Sequence, residues 1–115
     1  MRIEDLIEAA AGEPEAVRAI KDIKPDYTLG CPVWPGLAKV IEESGEFQRI
    51  AGKIMAVYGE TDYFDGSDLV RPLEEELADI VAATAFMVQA AGLDSEFINN
   101  RAEQKLSQFI EWSNK

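Results

Sequence analysis

The sequence predicts an all-α fold, an antiparallel helical bundle with two long central helices. Apolar residues recur with the helical period over two long stretches, glycine or proline marks each boundary, and no stretch shows the alternation of a strand. At 115 residues the chain is long enough for a hydrophobic core without disulfides. We therefore expect one domain over residues 1–115.

The first half of the chain is predicted to hold two short helices and one long helix. The short helices cover 2–11 and 14–23, separated by a Gly-Glu-Pro break. Residues 24–35 contain three prolines and a glycine, which is typical of a loop. Apolar residues then recur with the helical period over 36–58, and Gly59 is predicted to end this helix.

The second long helix is predicted to follow a polar connection over 59–68. Asp68 or Ser67 is suited to cap its N-terminus, because a short polar side chain can accept the unpaired backbone N–H groups there. The helical period runs to about Ala91, and Gly92 is the expected stop.

The composition excludes several classes of function. The net charge is −11, from 22 acidic and 11 basic residues, so binding to a nucleic acid polymer or an anionic membrane is not expected. Without histidine the chain cannot form a Ser-His-Asp triad or an HExxH zinc site. The single cysteine, Cys31, is compatible with a reducing compartment. No signal peptide or membrane-spanning run is apparent, so we expect a cytoplasmic protein.

Two acidic side chains lie on or beside the apolar face of the first long helix. At about 100° per residue, Glu43 falls within the apolar stripe near Ile50 and Ile54. Glu46 falls on the edge of that stripe, whereas Glu42 falls outside it.

The second long helix repeats this arrangement. Glu76 falls inside its apolar stripe and Asp79 on the edge, while Glu74 and Glu75 project away. If the two helices pack antiparallel at ~8–10 Å, the four carboxylates can converge on one spot. Such a group needs protons or a multivalent cation, because desolvated carboxylates repel one another.

Oxygen ligands alone suit Mg²⁺, with Mn²⁺ as a second choice, better than zinc or iron. A single acidic pair is more often a solvated part of a helix surface, but two matched pairs on apolar faces favour a metal site. The leading prediction is therefore a metal site formed by Glu43, Glu46, Glu76 and Asp79.

The last helix, after an Asp94 or Ser95 cap, carries two basic residues in one sector. Arg101 and Lys105 are four residues apart and share this sector with apolar residues. Their charged ends could extend into solvent, or they could hold phosphate oxygens that a cation leaves uncovered.

Two aromatic residues lie in the loop ahead of the first acidic helix. Tyr27 and Trp34 could stack on a nucleobase, or they could cover the hydrophobic core.

The acidic motifs resemble those of a known enzyme family. Two sets of residues carry the resemblance, Glu42, Glu43 and Glu46 on the first helix and Glu76 and Asp79 on the second. Their order is similar to the EExxE…ExxD signature of the MazG-like, all-α nucleoside triphosphate pyrophosphohydrolases. The surrounding strings LAKVIEESGE and LEEELADIV are similar to the two core helices of that family, and the resemblance covers residues 34–112.

The resemblance implies an oligomeric, Mg²⁺-dependent enzyme, a homodimer or homotetramer. It would cleave a nucleoside triphosphate between the α and β phosphates, giving a monophosphate and pyrophosphate. The four carboxylates of the metal site match the metal ligands of the family, and Glu43 or Glu46 is expected to orient or deprotonate the attacking water. Arg101 and Lys105 are the candidates for the basic residues that hold phosphates in the family.

Two other functions stay open from the sequence. One is a related pyrophosphohydrolase that acts on phosphoribosyl-ATP or a nucleoside diphosphate. The other is a non-catalytic helical interaction module whose acidic residues are solvated or bind a cation for structure only.

Overall fold

The computed structural model describes residues 24–115, and this part of the chain is helical without a strand. The all-α prediction is confirmed for these residues. The helices predicted over 2–11 and 14–23 lie outside the described residues. The described helices are α1 (Leu37–Ala56), α2 (Val70–Ala90) and α3 (Ser95–Ser113).

Residues 24–35 form the predicted loop, and this loop folds back on the start of α1. The backbone N–H of Ala38 donates to the carbonyl of Tyr27 (2.8 Å), and that of Gly36 donates to the carbonyl of Thr28 (2.9 Å). The Asp26 carboxylate accepts from the Thr28 N–H and hydroxyl at 3.1 and 2.8 Å. These bonds hold the loop beside the first turn of α1.

Helix α1 is shorter than predicted by one residue at its start and two at its end. Gly36 has φ +87° and precedes the helix instead of joining it. At the other end Tyr58 and Gly59 have φ of 55° and 83°, and the Gly59 N–H donates to the carbonyl of Ile54 (2.9 Å). This left-handed turn ends the helix at Ala56, although the apolar pattern of the sequence continues to Tyr58.

The polar connection to α2 is a tight turn. Asp62 and Asp68 form an isolated antiparallel bridge, and the N–H of Tyr63 donates to the carbonyl of Ser67 (2.8 Å). The Asp68 carboxylate accepts from the N–H groups of Val70 (3.0 Å) and Arg71 (3.1 Å). Of the two predicted caps, Asp68 is therefore the one that stabilises the start of α2.

The turn between α2 and α3 also follows the sequence signals. Gly92 has φ +68°, directly after the end of α2, as expected of a helix stop. Asp94 is the N-cap of α3, and its carboxylate accepts from the Phe97 N–H at 3.0 Å.

Helices α1 and α2 pack together as an antiparallel pair. The start of α1 lies against the end of α2, because a Cβ at Gly36 would meet Phe86 at 2.9 Å and Met87 at 3.4 Å. Helix α3 makes far fewer contacts with either helix, and none of its residues is buried. The buried apolar residues of the described part are Cys31, Ile50, Val57, Leu69, Ala83 and Ala91. None of these three helices is long and apolar enough to cross a membrane.

Candidate metal centre

The carboxylates of Glu43, Glu46, Glu76 and Asp79 converge between α1 and α2. One oxygen from each lies within 4.8 Å of the oxygens of the other three. The convergence expected from the helical period is therefore observed. We refer to these four residues as the acidic cluster.

The antiparallel register of the two helices explains how the cluster forms. Glu46 follows Glu43 by three positions on α1, and Asp79 follows Glu76 by three positions on α2, in opposite directions along the pair. Glu43 therefore lies at the level of Asp79, and Glu46 at the level of Glu76. Two matched acidic pairs meet only because their spacing is equal.

Two carboxylate oxygens of the cluster are buried without a protein donor. Glu43 Oε2 and Glu76 Oε2 have no hydrogen-bond partner among the described residues. Burial raises the pKa of Glu43, and repulsion by Glu46 and Asp79 raises it further. Burial likewise raises the pKa of Glu76, followed by the charge of Glu46.

The donor set of the cluster fits a metal ion. Buried polar atoms in proteins almost always have a partner, so two unsatisfied carboxylate oxygens at one point indicate that a cation or proton belongs between them. All four ligand groups are hard carboxylate oxygens, which favours a hard divalent cation. The acidic cluster could therefore hold a metal ion.

The remaining acidic residues of the two helices point away from the cluster, as the helical period predicts. Glu42 is exposed and accepts from the Lys39 ammonium at 2.9 Å. Glu74 and Glu75 are also exposed, and Glu74 lies 3.8 Å from the Arg71 side chain.

A pocket of about 330 Å³ opens on one side of the cluster. Its lining residues come from the loop, α1 and α2, and they are Leu29, Lys39, Glu43, Asp79, Ala82, Ala83 and Phe86. This volume lies within the range of small-molecule sites. We call it the cluster pocket.

A second pocket, of about 320 Å³, adjoins the cluster pocket. It is lined by Thr28, Leu29, Gly30, Ala38, Lys39 and Glu42. Leu29 and Lys39 line both pockets, so they form the shared wall between them. We call it the loop pocket.

The four residues predicted to bind substrate lie elsewhere in the described part. Tyr27 and Trp34 are in the loop, with φ of 61° and 47° and exposed fractions of 36% and 49%, and neither lines the two pockets. On α3, Arg101 is exposed and Lys105 is half-buried, and they too are absent from both pocket linings. Their roles in substrate binding stay predictions.

The sequence analysis did not predict most of the residues that line the two pockets, among them Leu29, Lys39 and Phe86. A signal existed for Lys39, because it precedes Glu43 by four residues and so lies one helical turn away on the same side of α1. Leu29 gave no such signal, since its position depends on how the loop folds over the helices.

Comparison with protein-family models, curated proteins and solved structures finds no match to this chain. What the site can do therefore has to follow from its own residues and geometry.

Proposed function

We propose that this protein hydrolyses nucleoside or deoxynucleoside triphosphates to the monophosphate and pyrophosphate, with Mg²⁺ bound by the acidic cluster. The observation that carries the proposal is a four-carboxylate cluster with two unsatisfied buried oxygens, open to a pocket of ligand size. The resemblance of the motifs to the MazG-like pyrophosphohydrolases supports the same activity.

The position of the cluster pocket favours a catalytic cation over a purely structural one. Glu43 and Asp79 belong to both the cluster and the pocket lining, so a ligand in the pocket would reach the cation directly. Structural metal sites are closed by protein ligands, whereas catalytic sites keep a position open for water or substrate. The acidic cluster is open on the side of the cluster pocket, as a catalytic site is.

The chemistry follows from the charges of the cluster. A divalent cation bound by the acidic cluster would neutralise phosphate charge and lower the pKa of a bound water. Either Glu43 or Glu46 would orient the attacking water or accept its proton, as a general base must.

We also propose that the active protein is a homodimer or homotetramer. Several large apolar side chains on α3 are more than half exposed. Four of them lie close together in sequence near the end of the helix, Leu106, Phe109, Ile110 and Trp112. Val81 on α2 is 69% exposed. Apolar surface of this extent is typical of a protein–protein interface, and sedimentation equilibrium would give the subunit number.

The test is pyrophosphate release from the eight common nucleoside and deoxynucleoside triphosphates, with Mg²⁺ and with EDTA. Wild type is compared with Asp79→Asn, which removes one ligand charge, and with Glu75→Gln, which removes an exposed charge outside the cluster. We expect Mg²⁺-dependent release that is lost in Asp79→Asn and kept in Glu75→Gln.

Two outcomes would overturn the proposal. Equal activity of Asp79→Asn and wild type would separate the reaction from the acidic cluster. If none of the eight substrates released pyrophosphate, two functions would remain: hydrolysis of phosphoribosyl-ATP or a nucleoside diphosphate, and cation binding without catalysis. Assays for turnover of these two compounds would distinguish the two functions.

A further inference from the structure

Lys39 occupies a position that the proposed reaction leaves unexplained. It is the only basic residue among the described residues that line the cluster pocket and the loop pocket, and it belongs to both. Its side chain is 36% exposed and extends from α1 one turn before Glu43. A positive charge at this junction is therefore available to a ligand in either pocket.

The ion pair of Lys39 is one that an incoming anion can replace. Its partner Glu42 is 54% exposed in its side chain, lies three residues away on the same helix and stands outside the acidic cluster. Surface pairs of this kind contribute little to stability, because both groups are well solvated when apart. The ammonium can therefore exchange Glu42 for a phosphate oxygen at small cost.

The charge balance of the site requires such a group. A triphosphate would carry several negative charges into the cluster pocket, which Glu43 and Asp79 line, beside the loop pocket, which Glu42 lines. The protein itself has a net charge of −11. A divalent cation in the cluster would neutralise phosphate oxygens on the side of the carboxylates. Phosphate oxygens on the side of the shared wall would lie toward Lys39.

We infer that Lys39 is a substrate-binding residue that contacts the phosphate chain at the wall shared by the two pockets. This inference rests on the proposed function and adds a specific contact to it. The class of ligand is a phosphoric anhydride with a bound divalent cation, and the contact is a charge-assisted hydrogen bond from the ammonium to a non-bridging oxygen.

The experiment uses inorganic pyrophosphate with Mg²⁺ as the probe, because its binding does not depend on the preferred base. Calorimetry compares wild type, Lys39→Met, Lys39→Arg and a charge-matched control, Lys115→Met, at the exposed end of the chain. We expect Lys39→Met to bind Mg²⁺–pyrophosphate about 10- to 100-fold more weakly, the range of a lost hydrogen bond to a charged group. Lys39→Arg and Lys115→Met should stay within about threefold of wild type.

Binding of Mg²⁺ alone distinguishes this contact from a folding defect. Removing a positive charge near four carboxylates strengthens cation binding, so Lys39→Met should bind Mg²⁺ at least as tightly as wild type. The same variant should raise the KM of the triphosphate that wild type hydrolyses fastest. Loss of both Mg²⁺ and pyrophosphate binding would instead identify Lys39 as a structural residue.

Failure of this inference differs from failure of the proposed function. If wild type releases pyrophosphate and Lys39→Met binds Mg²⁺–pyrophosphate as tightly as wild type, the Lys39 contact is wrong and the reaction stands. If wild type hydrolyses no triphosphate, the proposed function is wrong and the Lys39 contact to substrate is overturned with it.

Discussion

The substitution Gly36→Ala should destabilise the protein far more than a glycine-to-alanine change inside α1. Gly36 has φ +87°, where a residue with a Cβ loses roughly 1–2 kcal/mol. The new Cβ would also lie 2.9 Å from Cδ1 of Phe86 and 3.4 Å from Met87 Cα. Since carbon atoms prefer separations of about 3.5–4.0 Å, the ring or the helix must move.

The two effects add to a large fraction of the stability of a small protein. Overpacking of this kind costs about 1–3 kcal/mol, so we expect a total loss of about 2–5 kcal/mol. For a domain of this size that corresponds to a fall in melting temperature of at least about 10 °C.

Gly52→Ala is the matched control, because it makes the same chemical change on the same helix. Gly52 lies inside α1 without a positive φ, and a Cβ there meets no other atom of the described residues within 4 Å. Alanine is the better helix former, so this variant should gain about 0.5–1 kcal/mol.

The assay is urea unfolding followed by circular dichroism, at one fixed protein concentration because association would shift the apparent stability. If Gly36→Ala lowers the free energy of unfolding by less than about 0.5 kcal/mol, the reasoning is refuted. Neither the left-handed backbone at this position nor the close contact with Phe86 would then be correct.

Two further predictions concern the acidic cluster. Mg²⁺ at about 100 times its Kd should stabilise wild type by about 2.7 kcal/mol, a rise of about 10 °C or more in melting temperature, and should not stabilise Asp79→Asn. Thermal melts with Mg²⁺ and EDTA check this, and equal shifts in both proteins would contradict it. In EDTA, burial and then carboxylate repulsion hold the pKa of Glu43 and Glu76 above the ordinary glutamate value, so the folded chain binds protons more tightly than the unfolded one. The stability of the folded chain should therefore fall as the pH rises from the ordinary glutamate pKa through the raised values, and the fall should be smaller in Glu76→Gln. Melts of both proteins across this pH range would check it, and identical slopes would contradict a raised pKa of Glu76.

The sequence was informative about the features that depend on a single helix. The helical period placed Glu43 and Glu76 on inner faces, and the left-handed glycines and the Asp68 and Asp94 caps marked the helix ends. These signals are local, because each depends on residues within about two turns.

The features that were missed depend on contacts between distant parts of the chain. Leu29 reaches the pocket because the loop is bonded back onto the start of α1, and no periodicity records such a contact. The end of α1 was predicted two residues too late for a related reason. Val57 is apolar and buried, so it continues the helical pattern although the backbone has already left the helix.

The register of α1 against α2 connects the packing of the pair to the chemistry of its acidic cluster. Glu43 follows Gly36, the N-cap of α1, by seven positions, and Phe86 follows Asp79 on α2 by seven positions, about 10 Å along each axis. The close approach of Gly36 to Phe86 and the facing of Glu43 with Asp79 are therefore two results of one alignment. A shift of one residue in the register of either helix would move its carboxylates by about 1.5 Å along the axis and rotate them by about 100° around it. A glycine two helical turns from Glu43 thus helps to determine whether four carboxylates can share a cation.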